Sequence, residues 1–201
     1  MFTDRSNYTW RKLVHKFIMV LLSVALISGC TSVVHHMTEE PMNSDSGTTG
    51  PGTYINDVSM ETSIGVNIKK ADPLLETSHI NVNVYNAVVL LTGEAGSAAL
   101  KKLAGDTARA HKRVRIVHNE LQVRNNASLI TRGNDSLITG RVKAKLIFDE
   151  EVTANKVKVI TEDSTVYLMG EISREMGEKA SNRARESSGV RNVVKVFEYT
   201  D

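Results

Sequence analysis

The chain has 201 residues, 25 Lys and Arg against 23 Asp and Glu, and only 5% aromatic residues. Residues 1–29 hold four of those bases (Arg5, Arg11, Lys12, Lys16) and one acid (Asp4), so the chain beyond them carries 21 basic and 22 acidic groups and is close to neutral. That balance excludes a protein that holds nucleic acid by overall charge, and any affinity for anions has to come from a local patch.

Arg11, Lys12 and Lys16 precede an apolar run of about eleven residues, Phe17 to Ile27, which leads into Ser28-Gly29-Cys30. A positive segment, a short apolar segment and small residues at a cut site read as a bacterial signal peptide over residues 1–29. The run is too short to span a bilayer, which takes ~20 apolar residues. Cys30 is the single cysteine of the chain and directly follows Gly29. This arrangement resembles a lipoprotein lipobox, in which the cysteine thiol is diacylated and becomes the new N-terminus, so Cys30 is the expected lipidation site. Two or more acyl chains, at ~0.8 kcal/mol per buried methylene, anchor a protein stably. Thr31 follows where Asp would signal inner-membrane retention, and by resemblance to enterobacterial sorting this points to the outer membrane. With Cys30 lipidated the chain can form no internal disulfide, and its domains rest on their apolar cores.

Residues 30–53 carry Pro41, Gly47, Gly50, Pro51 and Gly52 among many Ser and Thr, and read as the lipidated Cys and a flexible tether. His35-His36 inside it has no third ligand nearby and reads as solvated. From Tyr54 onward the chain repeats itself. Asn56-Asp57 returns as Asn134-Asp135, Gly93-Glu94 as Gly170-Glu171, Ala108-Arg109 as Ala184-Arg185, and Val114 and Val117 as Val190 and Val193. A period near 77 residues signals two similar domains, here 54–123 and 134–201, joined by a polar linker, 124–133.

Each unit opens with an Asp placed to cap a helix. Met60, Ile64 and Ile68 in the first, and Ile138, Val142 and Leu146 in the second, lie four apart and share one helical face. An alternating strand follows, Ile80-x-Val82-x-Val84 or Val157-x-Val159. A turn comes next, Tyr85-Asn86-Ala87 or Glu162-Asp163-Ser164, then a second strand ending at Gly93 or Gly170. A helix over about 97–110 or 174–187 leads to a closing β-rich run, 114–123 or 190–199. The expected fold is therefore α+β: two tandem α-β-β-α-β domains, each a three-stranded mixed sheet covered by two helices.

Val166-Tyr167-Leu168-Met169-Gly170 and Ser188-Gly189-Val190-Arg191-Asn192-Val193 resemble the hallmarks of the BON domain, Val-x-Leu-x-Gly and Gly-Val-x-x-Val. The first unit shows the strand hallmark as Val89-Leu90-Leu91-Thr92-Gly93, but Arg113 stands where the second hallmark has Gly. Lipobox, tether and two such units together are similar to the dual-BON outer-membrane lipoproteins, a family linked to envelope integrity and stress.

No catalytic constellation is present. His79, His111 and His118 are scattered, without Cys partners or HExxH spacing, and there is no nucleophile elbow or phosphate-cradling Gly loop. Asp149-Glu150-Glu151 lacks the alternating spacing of a calcium loop. No enzyme activity, cofactor or metal is expected. The stretch that stands out is the opening helix of the second unit, Asp135 to Phe148, which carries Arg141, Lys143 and Lys145 against Asp135. Leu137 and Ile147 fall off its core line. Apolar residues beside Lys and Arg suit an anionic lipid surface, although both flanks could equally pack on the neighbouring unit. The family resemblance implies that this helix binds a phosphatidylglycerol-like membrane, with Leu137, Ile138, Arg141, Val142, Lys143 and Ile147 as contacts. A close family member has Trp at the position of Leu137, which implies weaker membrane binding here. The resemblance implies as alternative partners the outer-membrane protein assembly machinery or a regulator of cell-wall amidases, with enrichment at the division site.

Overall fold

A computed structural model describes residues 51–125 and 129–201. The signal peptide, Cys30, His35-His36 and the tether up to residue 50 lie outside the described residues. In the first domain, α1 (Pro51–Ala71) is followed by a short α2 (Pro73–Thr77), a hairpin of β1 (Ile80–Tyr85) and β2 (Val88–Ala95), α3 (Ala98–Arg109), and the strands β3 (Ile116–Asn119) and β4 (Gln122–Val123). In the second, α4 (Leu129–Ile147) and a 3-10 turn (Ala154–Lys156) lead to β5 (Lys158–Glu162), β6 (Thr165–Ile172), α5 (Arg174–Arg185) and β7 (Asn192–Tyr199).

Both domains keep the expected order. β1 and β5 pair antiparallel with β2 and β6, and the chain then crosses over a helix to add β3 or β7 in parallel. β3 breaks at Glu120 and Leu121, and the line continues as β4, also parallel to β2. Ser97 and Ser173 cap α3 and α5 by accepting from the Leu100 and Met176 amides. The expected elements did not include the 3-10 turn or α2; the signals for α2 are Asp72, which accepts from the Leu74 amide at 2.8 Å, and Pro73 at the first helical position.

The opening aspartates do not cap helices. α1 begins at Pro51 and α4 at Leu129, so residues 51–53 and 129–133 are helical rather than tether and linker, and Asp57 and Asp135 lie well inside their helices. Their buried carboxylates reach sideways to the hairpin turns. Asp57 accepts from the Asn86 and Ala87 amides at 2.7 and 3.1 Å, and Asp135 from the Asp163 and Ser164 amides at 2.8 and 2.7 Å. All four turn residues have positive φ, between 47° and 61°, the mirror-image turn that suits a two-residue hairpin. Neither turn contains glycine, and the carboxylate holds each one shut.

Core packing follows the helical and strand periodicities. Met60, Ile64 and Ile68 meet Val84, Val89, Leu91 and Ala104 in the first domain, and Ile138, Val142 and Leu146 meet Val159, Val166, Leu168 and Ala180 in the second. The glycine that ends each strand hallmark has a spatial reason. A Cβ on Gly93 would strike the His79 carbonyl oxygen, and one on Gly170 the Lys156 carbonyl oxygen. The helices leave the far face of each sheet bare, and those faces meet each other. Val88 and Leu90 from β2 pack against Tyr167, Met169 and Val196 from β6 and β7. Both domains thus lie in one compact unit, Asp45–Asp201.

Candidate functional site

With the sheets back to back, what each domain offers to solvent is the outer side of its helices. On α4, Ile138, Val142 and Leu146 turn inward and are 0–1% exposed. At 3.6 residues per turn, Leu137, Arg141, Ala144 and Phe148 then line up on the outer side, with Gly140, Lys143 and Ile147 beside them. Leu137 is 60% exposed, Ile147 67% and Phe148 85%. These three make an apolar ridge, with Arg141 along one edge and Lys143 along the other. Neither base has a carboxylate partner among the described residues.

The structure therefore divides the six expected contacts. Leu137, Arg141, Lys143 and Ile147 share the open face. Ile138 and Val142 do not: both are wholly buried in the second core, and a surface lying on α4 meets neither. The spacing that makes them a core stripe is what removes them from the contact set. Phe148, eleven residues after Leu137, lies on the same open stripe and is not among the six expected contacts.

Neighbouring charges keep the ridge basic. Lys145 leans away to Glu186, at 3.2 Å from its carboxylate and 3.0 Å from its carbonyl. Lys145 in turn holds the Glu186 carboxyl below its usual range. Asp149 accepts from the Glu151 amide and pairs with Arg183, which together hold its carboxyl low. Asp149 and Glu151, just past α4, are thus engaged with Arg183 and Lys179 of α5, whereas Glu150 has no ion pair among the described residues. An open groove of about 730 Å³ runs there between Arg141, Phe148, Glu150 and Arg183. Arg141 also donates to the Ser188 carbonyl at 3.3 Å. This ties α4 to the second BON-like hallmark, where Gly189, at φ +93°, packs so closely that a Cβ would sit 3.0 Å from Ile138. The first domain has no such glycine turn. Arg113 takes that place and donates to Asn56 at 3.1 Å.

α1 also carries exposed apolar residues, Tyr54, Ile55 and Val58, with Arg113 on Asn56 and a Glu61–Lys158 ion pair beside them. Among the described residues no helix is long and apolar enough to cross a membrane.

Duplicate hairpin-helix-strand units with Val-x-Leu-x-Gly strands make this a tandem BON-domain protein. The BON domain matches residues 56–125 and 134–201, and the chain belongs to that family. It is similar to the outer membrane lipoprotein DolP of Haemophilus influenzae, with 31% identity over 92% of this chain and 96% of that one. It is also 35% identical to the 21 kDa hemolysin of Actinobacillus pleuropneumoniae over 74% of this chain and 76% of that one. The osmotically-inducible protein Y of Escherichia coli is 29% identical over 74% of this chain and 75% of that one. These relatives support an outer-membrane, DolP-like envelope lipoprotein role.

Proposed function

We propose that the chain is anchored to the outer membrane through lipidated Cys30, faces the periplasm, and recognises anionic phospholipid with the outer side of α4. The observation that carries this reading is the ridge of Leu137, Ile147 and Phe148 edged by Arg141 and Lys143. Exposed apolar side chains insert among acyl chains, while each base near an anionic leaflet contributes about 1 kcal/mol. The Pro-, Gly- and Ser-rich tether of about 20 residues that composition leads one to expect after Cys30 has a reach of roughly 25 Å. Docking of α4 on the leaflet that holds the anchor is then effectively intramolecular, and a weak helix–lipid contact is populated. Envelope integrity is the role this recognition serves, with enrichment wherever anionic lipid gathers, such as a division site.

Vesicle co-sedimentation of residues 31–201, with and without phosphatidylglycerol, tests the reading. The wild type is expected to bind only the anionic vesicles, and a Leu137→Glu, Lys143→Glu variant of unchanged circular dichroism to lose most of that binding. Absence of binding by folded wild type at low salt would overturn it.

A second reading rests on a different surface. Tyr54, Ile55 and Val58 form a second exposed apolar patch on α1, beside the Glu61–Lys158 ion pair. Tyr54 and Val58 border a cleft of about 240 Å³ with Tyr85, Asn155 and Lys158. That surface suits a protein partner, in the outer-membrane assembly machinery or in amidase regulation, and it leaves the phospholipid face of α4 free.

A further inference from the structure

The packing of the two sheets brings together three ligating side chains that are far apart in sequence. His79 precedes β1, Glu94 sits near the end of β2, and Glu162 ends β5. A ring nitrogen of His79 and one carboxylate oxygen each from Glu94 and Glu162 lie within 4.8 Å of one another. Glu94 is 0% exposed and Glu162 7%.

One buried oxygen of this cluster is left without a partner. The Asn81 amide nitrogen lies 3.2 Å from His79 Nε2 and donates to Glu162 Oε2 at 2.8 Å. The same Nε2 atom faces Glu162 Oε1 at 3.6 Å. Glu94 Oε1 accepts from Arg124 at 3.0 Å, but Glu94 Oε2 is buried without a hydrogen-bond partner. Arg124 also reaches Asp163 at 2.9 Å, and Asp163 pairs in addition with Arg191 at 2.6 Å. Buried carboxylates are ordinarily paired or bound to a metal, and Glu94 Oε2 has no hydrogen-bond partner.

We propose that His79, Glu94 and Glu162 form a binding site for one divalent transition-metal ion, Zn²⁺ by its ligand set, at the junction of the two BON domains. One imidazole nitrogen and two carboxylate oxygens suit zinc and its neighbours better than magnesium or calcium. Three protein ligands leave a fourth position for water. Bonds of 2.0–2.2 Å set tetrahedral ligand atoms about 3.3–3.6 Å apart. His79 and Glu162 already stand at that separation, and the Glu94 oxygen lies within 4.8 Å of both. Two ligands come from the first domain and one from the second, so the ion pins the sheets together. This site is independent of the lipid reading, since α4 contributes no ligand.

The test uses the full chain in detergent, stripped with a chelator and then titrated with Zn²⁺ against a chromophoric competitor, and with Co²⁺ for its visible absorption. The wild type is expected to take up one ion per chain at the junction, to show the absorption of a four-coordinate Co²⁺ site, and to unfold at a higher temperature with Zn²⁺. His79→Gln, Glu94→Gln and Glu162→Gln are each expected to weaken uptake at least tenfold and to abolish the thermal shift. A His35→Gln, His36→Gln variant keeps both. Retention of the ion by any one of the three single variants that stays folded by circular dichroism would overturn the proposal. So would a wild type that takes up no ion, or one whose binding disappears with His35 and His36.

Discussion

Asp57 and Asp135 show how much a single buried carboxylate can organise. Each sits on the core side of an opening helix and holds two amides of a hairpin turn whose residues adopt left-handed conformations without glycine. Such conformations cost about 1–2 kcal/mol per residue. A charge-assisted hydrogen bond contributes about 1.5–3 kcal/mol, and amides left buried without a partner are expensive. Asp135→Ala is therefore expected to destabilise the chain by about 3 kcal/mol, read as a lower denaturation midpoint in urea. Asn at the same position, which keeps one acceptor, should cost less. The aspartates stand just ahead of the periodic apolar residues, where a cap would stand, and that is why their sequence suggests helix starts. Their true partners lie 28–30 residues away.

At the level of the helix, α4 shows that one periodicity assigns two faces at once. Ile138, Val142 and Leu146 take the core, and the residues between them are left for whatever lies outside. Phe148 is the most exposed large apolar residue described. Full burial of such a side chain contributes about 1.5–3 kcal/mol. Phe148→Ser is accordingly expected to weaken binding to phosphatidylglycerol vesicles about tenfold while leaving thermal stability unchanged. Raising salt to physiological strength should weaken the wild type further, since Arg141 and Lys143 act through a screened field. Insensitivity of vesicle binding to both changes would remove α4 from the contact.

The two domains act as one body because each sheet covers the bare face of the other. Leu90 stands at the centre of that contact and is 0% exposed. Around it the domains are tied by Asn81 to Glu162, Arg124 to Asp163, Lys158 to Glu61, and Arg115 to Glu198 at 2.8 Å. These partly exposed pairs contribute little individually, and the apolar patch dominates. Leu90→Asp places a charge in that patch. It is expected to split a single thermal unfolding transition into two, because domain coupling is lost while the two separate cores remain. Calorimetry reads this directly, and a single unshifted transition in the variant would show that the sheets do not stabilise each other.

The duplicated unit, its hairpins and longer helices, the core stripes and the BON membership were legible in the sequence, because each rests on local periodicity or on short motifs whose glycines meet a carbonyl or a side chain, while α2 and the true starts of the opening helices were not. The run Val88-Val89-Leu90-Leu91 already had the character of a strand buried on both sides, but nothing local names the surface that covers its second face. Ile138 and Val142 were grouped with the outer residues through family likeness, although their own spacing placed them inside. The sheet-to-sheet contact, the turns held by Asp57 and Asp135, and the meeting of His79, Glu94 and Glu162 came only with the folded chain. Each depends on residues that sit beside one another through packing, and a linear pattern carries no record of which distant face a strand will meet.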